Sequence, residues 1–279
     1  MDAPYIRETM FNRMSPLVST AEIETLGTRT VAVAGTGGVG FTHAECLVRM
    51  GIGRIRISDF DIFGPENVSR QFGATIHTMG QAKVRVLEER LRTINPELTI
   101  DVFDGIRPGN VEEFVEGVDF ICDAIDYLAI EPRRLLHKEA RKRGIPAVMS
   151  GPVGFGAILL VFDRDGMSFD DFFDTHDDRT EAENLANWAT GFNPAQMFRH
   201  YHPSPNSPLQ ERKGAVSAAC LLATSLAGTV AVRGLLKKDA FFKQIPFVYA
   251  IDYILGKFVE LHIPGGVRAI KADPDAYRR

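Results

Sequence analysis

Residues 31–70 read VAVAGTGGVGFTHAECLVRMGIGRIRISDFDIFGPENVSR, and this stretch decides the fold. A short apolar run leads into a glycine loop at 35–40, and an apolar-periodic helix then continues to about Met50. A turn and a second strand at 54–58 follow, with Asp59 directly after. In parallel sheets this order binds a nucleotide, because the glycines admit phosphate and the acid meets the ribose hydroxyls. The stretch therefore predicts a nucleotide site, and the alternative is a tight strand-to-helix turn without a ligand.

Polar residues beyond Asp59 favour a nucleoside triphosphate over a dinucleotide. Asp61 comes two residues later, and Arg70 and Lys83 add two positive charges. A triphosphate needs fixed cations, whereas the loop and the helix dipole usually satisfy a dinucleotide pyrophosphate. The glycines are not followed by Gly-Lys-Ser/Thr, so the loop is not of the Walker type.

The order of these motifs resembles that of the ThiF-type adenylyltransferases, bacterial relatives of ubiquitin-activating enzymes. The shared pattern is G-x-G-G-x-G, D-x-D, N-x-x-R-Q, K and D-x-x-D. It is matched by Gly35, Gly37, Gly38, Gly40, Asp59, Asp61, Asn67, Arg70, Gln71, Lys83, Asp123 and Asp126. The resemblance extends to the segments 11–14, 144–148 and 248–252, and it does not include 162–213.

This resemblance implies a role for each matched residue. The glycine loop would cradle phosphate, and Asp59 would accept hydrogen bonds from the ribose. Asn67, Arg70 and Lys83 would contact the triphosphate of ATP, and Asp126 would bind Mg²⁺. Arg13 would reach across a homodimer to the partner's ATP. The alternatives that involve no nucleotide are solvated surface charges at Arg70 and Lys83 and an acid at Asp61 that caps a turn.

The reaction implied is ATP-dependent activation of a carboxylate as an acyl-adenylate, with release of pyrophosphate. The carboxylate could belong to a ubiquitin-like protein's C-terminus, a peptide or a small molecule. Many relatives then form a thioester on a cysteine of the crossover segment, but 163–213 contains no cysteine. Cys220 lies in an apolar helix, where burial favours an inert thiol. The three cysteines include no C-x-x-C pair, so we expect no structural zinc.

Within this interpretation, the tRNA-modifying cyclase branch of the family, which activates a carboxylate on a modified nucleoside, is loosely similar over 80–83 and 94–96. Two functions of other classes compete with it. A NAD-dependent oxidoreductase could use the glycine loop but would not need Arg70 and Lys83. A non-catalytic partner subunit of an activating heterodimer would be expected to lose some of the matched residues.

Composition is that of an ordinary globular protein. The 279 residues carry a net charge of −4, which gives no electrostatic footprint for nucleic acid. We expect no charge-free apolar stretch of ~18 residues and therefore no membrane span. The first residues lack the features of a signal peptide, which favours the cytoplasm.

Alternation of strands and helices predicts an α/β fold with a doubly wound, Rossmann-like, mostly parallel sheet and a C-terminal antiparallel extension. We expect one domain over 1–279, with its nucleotide-binding half at 28–150. A helical segment at 5–27 should lie over the nucleotide site. A long crossover loop should span 163–213, and a helix and strands should follow over 214–263. The helix at 214–236 is apolar nearly all round, which predicts burial in the core or at a dimer interface.

Overall fold

The computed structural model describes residues 6–203, 214–238 and 242–279, which build one eight-stranded sheet. The strands are β1 (Thr30–Ala34), β2 (Arg54–Ser58), β3 (Thr99–Phe103), β4 (Phe120–Asp123), β5 (Ala147–Val153), β6 (Gly156–Phe162), β7 (Phe247–Asp252) and β8 (Lys257–His262). They lie in the order β3-β2-β1-β4-β5-β6-β7-β8. The first five pair in parallel, and β5 to β8 pair antiparallel. The predicted fold class is confirmed.

Helices cover both faces of the sheet. They are α1 (Arg7–Phe11), α2 (Thr20–Gly27), α3 (Gly40–Arg49), α4 (Lys83–Ile94), α5 (Val111–Val115), α6 (Ile130–Arg143), α7 (Phe169–Phe173), α8 (Glu181–Phe192), α9 (Ser217–Leu235) and α10 (Gly266–Ala272). One buried apolar cluster joins α3, α4 and α9 to the sheet, and a second joins α5 to α8 and α10. The sheet is therefore buried between two helical layers, as its apolar strands require.

Strand order places the glycine loop at a crevice. β1 is followed along the chain by β2 and β3 on one side, while β4 and β5 lie on the other side. Connections therefore diverge between β1 and β4, and such switch points at the carboxyl ends of strands form ligand sites in α/β folds. The loop that leaves β1 and the segment that leaves β4 meet there.

The crossover segment contradicts its predicted character as a long loop. Its described part, 163–203, contains α7, α8 and a 3₁₀ turn at Met197–His200. Phe172, Phe173 and Trp188 are at most 1% exposed, so aromatic packing orders the segment. Its last ten residues, 204–213, lie outside the described residues.

The N-terminal segment also differs from its prediction. Arg7 Nη2 donates to the carbonyls of Ile23 and Gly51, both at 2.7 Å, and Gly51 lies just past the C-terminal end of α3. Gly53 N–H donates to the Leu26 carbonyl, immediately before β2. The segment therefore packs at the amino ends of β1 and β2, opposite the glycine loop. The ten residues of α3 separate the two ends by roughly 15 Å.

Helix α9 is apolar because it is a core helix. It packs against α3 and across β4, β5 and β6. By length and composition it could cross a membrane, so the expectation that no such stretch exists was wrong, although 61% of the apolar window is buried inside the fold. Burial by its own chain accounts for most of its apolar surface. A stripe that includes Leu221, which is 47% exposed, faces outward.

Candidate active site

Two glycines of the loop are required by close backbone approaches. Gly35 has a φ of 88°, and a Cβ there would lie 2.2 Å from the Ala124 carbonyl oxygen. A Cβ on Gly40 would lie 1.8 Å from the carbonyl oxygen of Gly35. Only glycine fits such contacts. They bring the loop after β1 directly against the segment that follows β4.

The centre of the loop offers hydrogen-bond donors. Within the described ranges, the N–H groups of Gly37 and Gly38 have no hydrogen-bond partner. Amides of this kind, at the start of a helix, form the arrangement that accepts phosphate oxygens. The loop can therefore cradle phosphate, as its sequence predicts.

Asp59 is fastened to this loop. Its Oδ2 accepts from the backbone N–H and the hydroxyl of Thr36, at 2.7 and 3.0 Å, and its Oδ1 accepts from the Asp61 N–H at 2.9 Å. A carboxylate has about four acceptor positions, so capacity remains for ribose hydroxyls. The half-buried Asp59 thus links the ends of β1 and β2 and faces the same crevice.

Lys83 is a buried cation at this edge. It begins α4, is 6% exposed, and its Nζ lies 3.0 Å from Asp61 Oδ2. A lysine ammonium has three donors, and in the described parts of the chain Asp61 is the acceptor that Lys83 Nζ uses. The alternative of a solvated surface lysine is therefore wrong. The Asp61 side chain does not cap a turn but binds this lysine.

The segment 64–71 lies against the glycine loop. A Cβ on Gly37 would lie 3.6 Å from the Gln71 amide nitrogen, and one on Gly38 would lie 3.9 Å from Arg70 Cγ. Asn67 is buried, and its Oδ1 accepts from the Gly64 N–H at 2.9 Å, which shapes the turn. Arg70 Nη1 donates to the Glu66 carbonyl at 3.2 Å. The structure thus brings Arg70 next to the loop and gives Asn67 a role in holding the segment.

The two acids of D-x-x-D have different environments. Asp123 is 1% exposed and is held by Arg133 Nε and His137 Nε2, both at 3.0 Å. Burial opposes its ionisation, but Arg133 and His137 outweigh that effect and hold the pKa of Asp123 below its usual range. Asp126 is exposed, with Oδ1 accepting from the Leu128 N–H at 2.9 Å.

Asp126 fits the predicted role as a magnesium ligand. Mg²⁺ in nucleotide sites is held through one or two carboxylates, with substrate phosphates and water completing the shell. Among the described residues no group of three His, Cys, Asp or Glu side chains could bind a metal ion. Asp126 offers a single accessible carboxylate at the edge of the crevice, which suits Mg²⁺ binding in which substrate phosphates supply further ligands.

Arg13 is not brought to this crevice. It is exposed in the 3₁₀ turn Asn12–Met14, directly after the helix that Arg7 anchors at the end of the fold opposite the glycine loop. It makes no hydrogen bond or ion pair with any residue that the structure describes. Within one chain the matched residues therefore divide into a cluster around the crevice and a separate arginine.

Cys220 lies closer to the loop than its sequence context suggests. Its Sγ is 3.3 Å from the position of a Gly38 Cβ, and the residue is fully buried in the first turns of α9. Burial raises the pKa of its thiol to about 11. The thiol is therefore protonated near neutral pH and is a poor nucleophile.

Sequence reasoning missed the support beneath the D-x-x-D segment. Arg133 and His137 lie on α6, one turn apart, and both grip Asp123. Trp188 of α8 lies over Arg133. An i, i+4 pair of basic residues on a helix that begins just beyond the motif was an available signal, whereas nothing local indicates Trp188.

The family is decided by comparison with known proteins. A family model described as "ThiF family" matches residues 11–265. The chain belongs to the ThiF family. Its match spans nearly the whole described fold, including the crossover segment that the sequence motifs leave out.

Individual relatives of this ThiF protein match over shorter stretches. The tRNA threonylcarbamoyladenosine dehydratase of Bacillus subtilis (strain 168) is 38% identical over 50% of this chain and 55% of its own length. The sulfur carrier protein adenylyltransferase of Thermus thermophilus is 31% identical over 51% of this chain and 50% of its own length. The chain spans about half the length of the curated relatives it matches.

A solved structure extends the likeness in fold. The ATP complex of E. coli tRNA N6-threonylcarbamoyladenosine dehydratase superposes with a TM-score of 0.61 and 24% identity, covering 82% of this chain and 95% of that one. At this identity the likeness shows the fold. The comparisons give no support to the alternative of a NAD-dependent oxidoreductase.

Proposed function

We propose that this protein is an ATP-dependent adenylyltransferase that activates a carboxylate as an acyl-adenylate and releases pyrophosphate. ATP binds in the crevice between the ends of β1 and β4, with its phosphates at the glycine loop. The relatives support this assignment, since one is named an adenylyltransferase and the fold is shared with an ATP complex.

One observation carries the proposal, which is the buried Lys83 at the mouth of the crevice. Desolvating an ammonium costs free energy unless it is paired, and the partner of Lys83 is the 52% exposed carboxylate of Asp61. Asp61 thus holds the lysine in place and leaves two donors for another anion. A triphosphate supplies that anion, whereas a dinucleotide would leave these donors unused.

The chemistry requires positioning and charge. A carboxylate oxygen of the substrate attacks the α-phosphorus of ATP, a new P–O bond forms, and the bond to the departing pyrophosphate breaks. Lys83 and Arg70 stabilise the charge that develops on pyrophosphate, and the Gly37 and Gly38 amides hold phosphate oxygens. Mg²⁺ held at Asp126 would screen the phosphate charge. AMP then leaves when a nucleophile takes the acyl group.

Acyl transfer proceeds without an enzyme thioester. Of the three cysteines, Cys122 and Cys220 are fully buried with raised thiol pKa values, and Cys46 has a raised thiol pKa from burial as well. A thioester needs an accessible thiolate. Direct transfer from the adenylate to an external or intramolecular nucleophile avoids this requirement.

The substrate is a carboxylate-bearing small protein, peptide or metabolite, and the working unit is a homodimer in the cytoplasm. The dehydratase and sulfur-carrier relatives suggest two substrate classes. One is a carboxylate on a tRNA nucleoside, and the other is the C-terminus of a small protein. The net charge of −4 favours the second, because nucleic-acid binding relies on positive surface.

ATP–pyrophosphate exchange tests the proposal. Purified protein is incubated with MgATP, labelled pyrophosphate and one candidate from each class: small-protein C-termini, peptides, simple carboxylic acids and modified tRNA. Exchange that depends on one class identifies the acyl substrate. If the protein binds ATP but shows no exchange with any class, and does not change the activity of an added ThiF-family subunit, it would catalyse a different ATP-dependent reaction. Stimulation of another subunit would favour the non-catalytic partner role.

A further inference from the structure

Arg133 connects three parts of the proposed nucleotide site. Its guanidinium is buried, with Nε on the Asp123 carboxylate and Nη2 donating to the carbonyls of Ile125 and Asp126. It therefore binds both ends of the segment that carries Asp126. Because guanidinium donors form a rigid planar fork, these contacts fix the path of the backbone between the two acids.

The crossover helix covers this arginine. The Arg133 guanidinium carbon lies 4.5 Å from the ring centre of Trp188, which is itself 1% exposed. Tyr127, the residue after Asp126, meets the same tryptophan edge-to-face with ring centres 4.3 Å apart, and it also approaches Phe192 at 6.2 Å. One aromatic cluster on α8 thus holds both the support of the Asp126 segment and the segment itself.

A purely structural arginine would be expected to satisfy its buried donors. In the described residues, Arg133 Nη1 and Trp188 Nε1 are both buried without a hydrogen-bond partner. Unpaired buried donors cost free energy. Arg133 therefore carries an unpaired buried donor while it fixes one short backbone segment. A functional role of that segment explains this combination better than stability alone.

We propose that Arg133 is the positioning residue for Asp126, and that Trp188 and Tyr127 make helix α8 part of the nucleotide site. They would hold the Asp126 carboxylate in place at the crevice, where it would bind Mg²⁺ together with ATP. This inference rests on the proposed function. It assigns to the crossover segment a role in ATP binding that the matched motifs do not include.

The sole tryptophan of the chain provides the readout. Trp188 emission is recorded while Mg²⁺ is titrated into protein saturated with ATP, and ATP affinity is measured separately in EDTA. The variants are Tyr127→Ala, which removes the ring, and Tyr127→Phe, which keeps it. Arg133→Lys retains charge but loses the fork. Leu128→Ala, at an exposed neighbour on the same segment, is the matched control. Thermal melts establish that each variant folds.

We expect Mg²⁺ to change Trp188 emission in the wild type. Tyr127→Ala should weaken Mg²⁺ affinity by about 10- to 100-fold, as the loss of residues that orient metal ligands commonly does. ATP affinity in EDTA should change little, and Tyr127→Phe and Leu128→Ala should resemble the wild type. Arg133→Lys, if folded, should resemble Tyr127→Ala.

Equal Mg²⁺ affinity in the wild type and Tyr127→Ala would overturn the inference and leave the proposed function standing. So would equal losses of ATP affinity with and without Mg²⁺, because they would indicate a general structural defect. Failure of the wild type to bind ATP under any condition would overturn both.

Discussion

The nucleotide-binding half and the crossover segment achieve order in different ways. In the first, short connections follow β1, β3 and β4, a longer one at 59–82 follows β2, and most of the matched residues, such as Asp59 and Arg70, lie in these connections. In the second, two helices are held by aromatic packing of side chains such as Phe172 and Trp188. Local sequence therefore specifies the first region, whereas tertiary contacts specify the second.

This difference separates the tasks of the two regions. The crevice of the first half presents amides, acids and a buried cation, which suit a phosphate chain. The described crossover presents aromatic rings and ion pairs that hold helices together. ATP chemistry should therefore be sensitive to polar changes in the first half, and changes in the crossover segment should act on it through the packing of Trp188 against Arg133 and Tyr127.

Replacing Lys83 should give the largest effect. We expect Lys83→Ala to lose about 2–4 kcal/mol of transition-state stabilisation, as the removal of one fixed charge donor commonly does. ATP–pyrophosphate exchange with the identified acid measures this loss. Lys257→Ala, at an exposed lysine on the edge strand β8, is the matched control and should exchange like the wild type. Full exchange by Lys83→Ala would remove this lysine from the site.

Substitution of Arg13 tests whether the nucleotide site is complete within one chain. Because Arg13 lies at the far end of its own fold, we propose that it acts in the partner's site. Arg13→Ala and Lys83→Ala should each be defective alone. When protomers of the two variants are mixed and allowed to reassort, mixed dimers contain one intact site, so about a quarter of wild-type activity should return.

Light scattering must accompany that mixing experiment. A monomer at micromolar concentration with full activity would contradict the composite site, as would the absence of any recovery in demonstrably mixed dimers. A dimer that excludes the exposed stripe of α9 would leave Arg13 without the interface that we expect around that helix.

The protonation of His43 reports on the contact between the nucleotide-binding half and α9, because His43 lies on α3, which packs against α9. Burial lowers the pKa of His43 to about 4, whereas unfolded histidine titrates near 6.5. The unfolded state therefore binds more protons between these values, and stability falls as pH decreases. From pH 6.5 to 5.0 this histidine should account for a loss of about 2 kcal/mol in the free energy of unfolding.

Denaturant unfolding of the wild type and His43→Phe at several pH values measures this contribution. The variant should show a shallower decline between pH 6.5 and 5.0. Identical slopes for the two proteins would show that His43 does not remain neutral in the folded state.

Replacing Cys220 should give the smallest effect on chemistry. Cys220→Ala should retain adenylation and acyl transfer close to wild-type levels, apart from lost packing beside Gly38. The reaction is run with labelled acyl substrate, and the protein is examined for an adduct that reductant removes. A stoichiometric adduct that disappears in Cys220→Ala would show a thioester enzyme and would contradict the proposed separation of tasks.

Much of the first half could be predicted from the sequence. The strand at 54–58 has the predicted bounds, because apolar patterning and glycine turns act locally. The glycine loop, Arg70, Lys83 and Asp59 meet at one edge, as the parallel order requires. Arg13 does not join them within one chain, since its position depends on how the N-terminal segment packs.

The crossover could not be predicted in the same way. Its polar composition indicates a loop, and the few aromatic residues that order it are spaced without a clear period. The grip of Arg133 on the Asp126 segment is likewise a contact between a helix and a preceding turn. The i, i+4 pair Arg133 and His137, just beyond the D-x-x-D motif, was the signal that the sequence offered for this contact.

Calorimetry with three nucleotides determines whether the crevice between β1 and β4 binds a triphosphate through the buried Lys83. MgATP, AMP and NAD are titrated into the wild type and into Lys83→Ala. We predict that the wild type binds MgATP more tightly than AMP or NAD, and that Lys83→Ala loses the preference for MgATP over AMP while its AMP affinity is retained. Tighter binding of NAD than of MgATP, or an equal preference for MgATP in both proteins, would show that Lys83 does not make the crevice a triphosphate site.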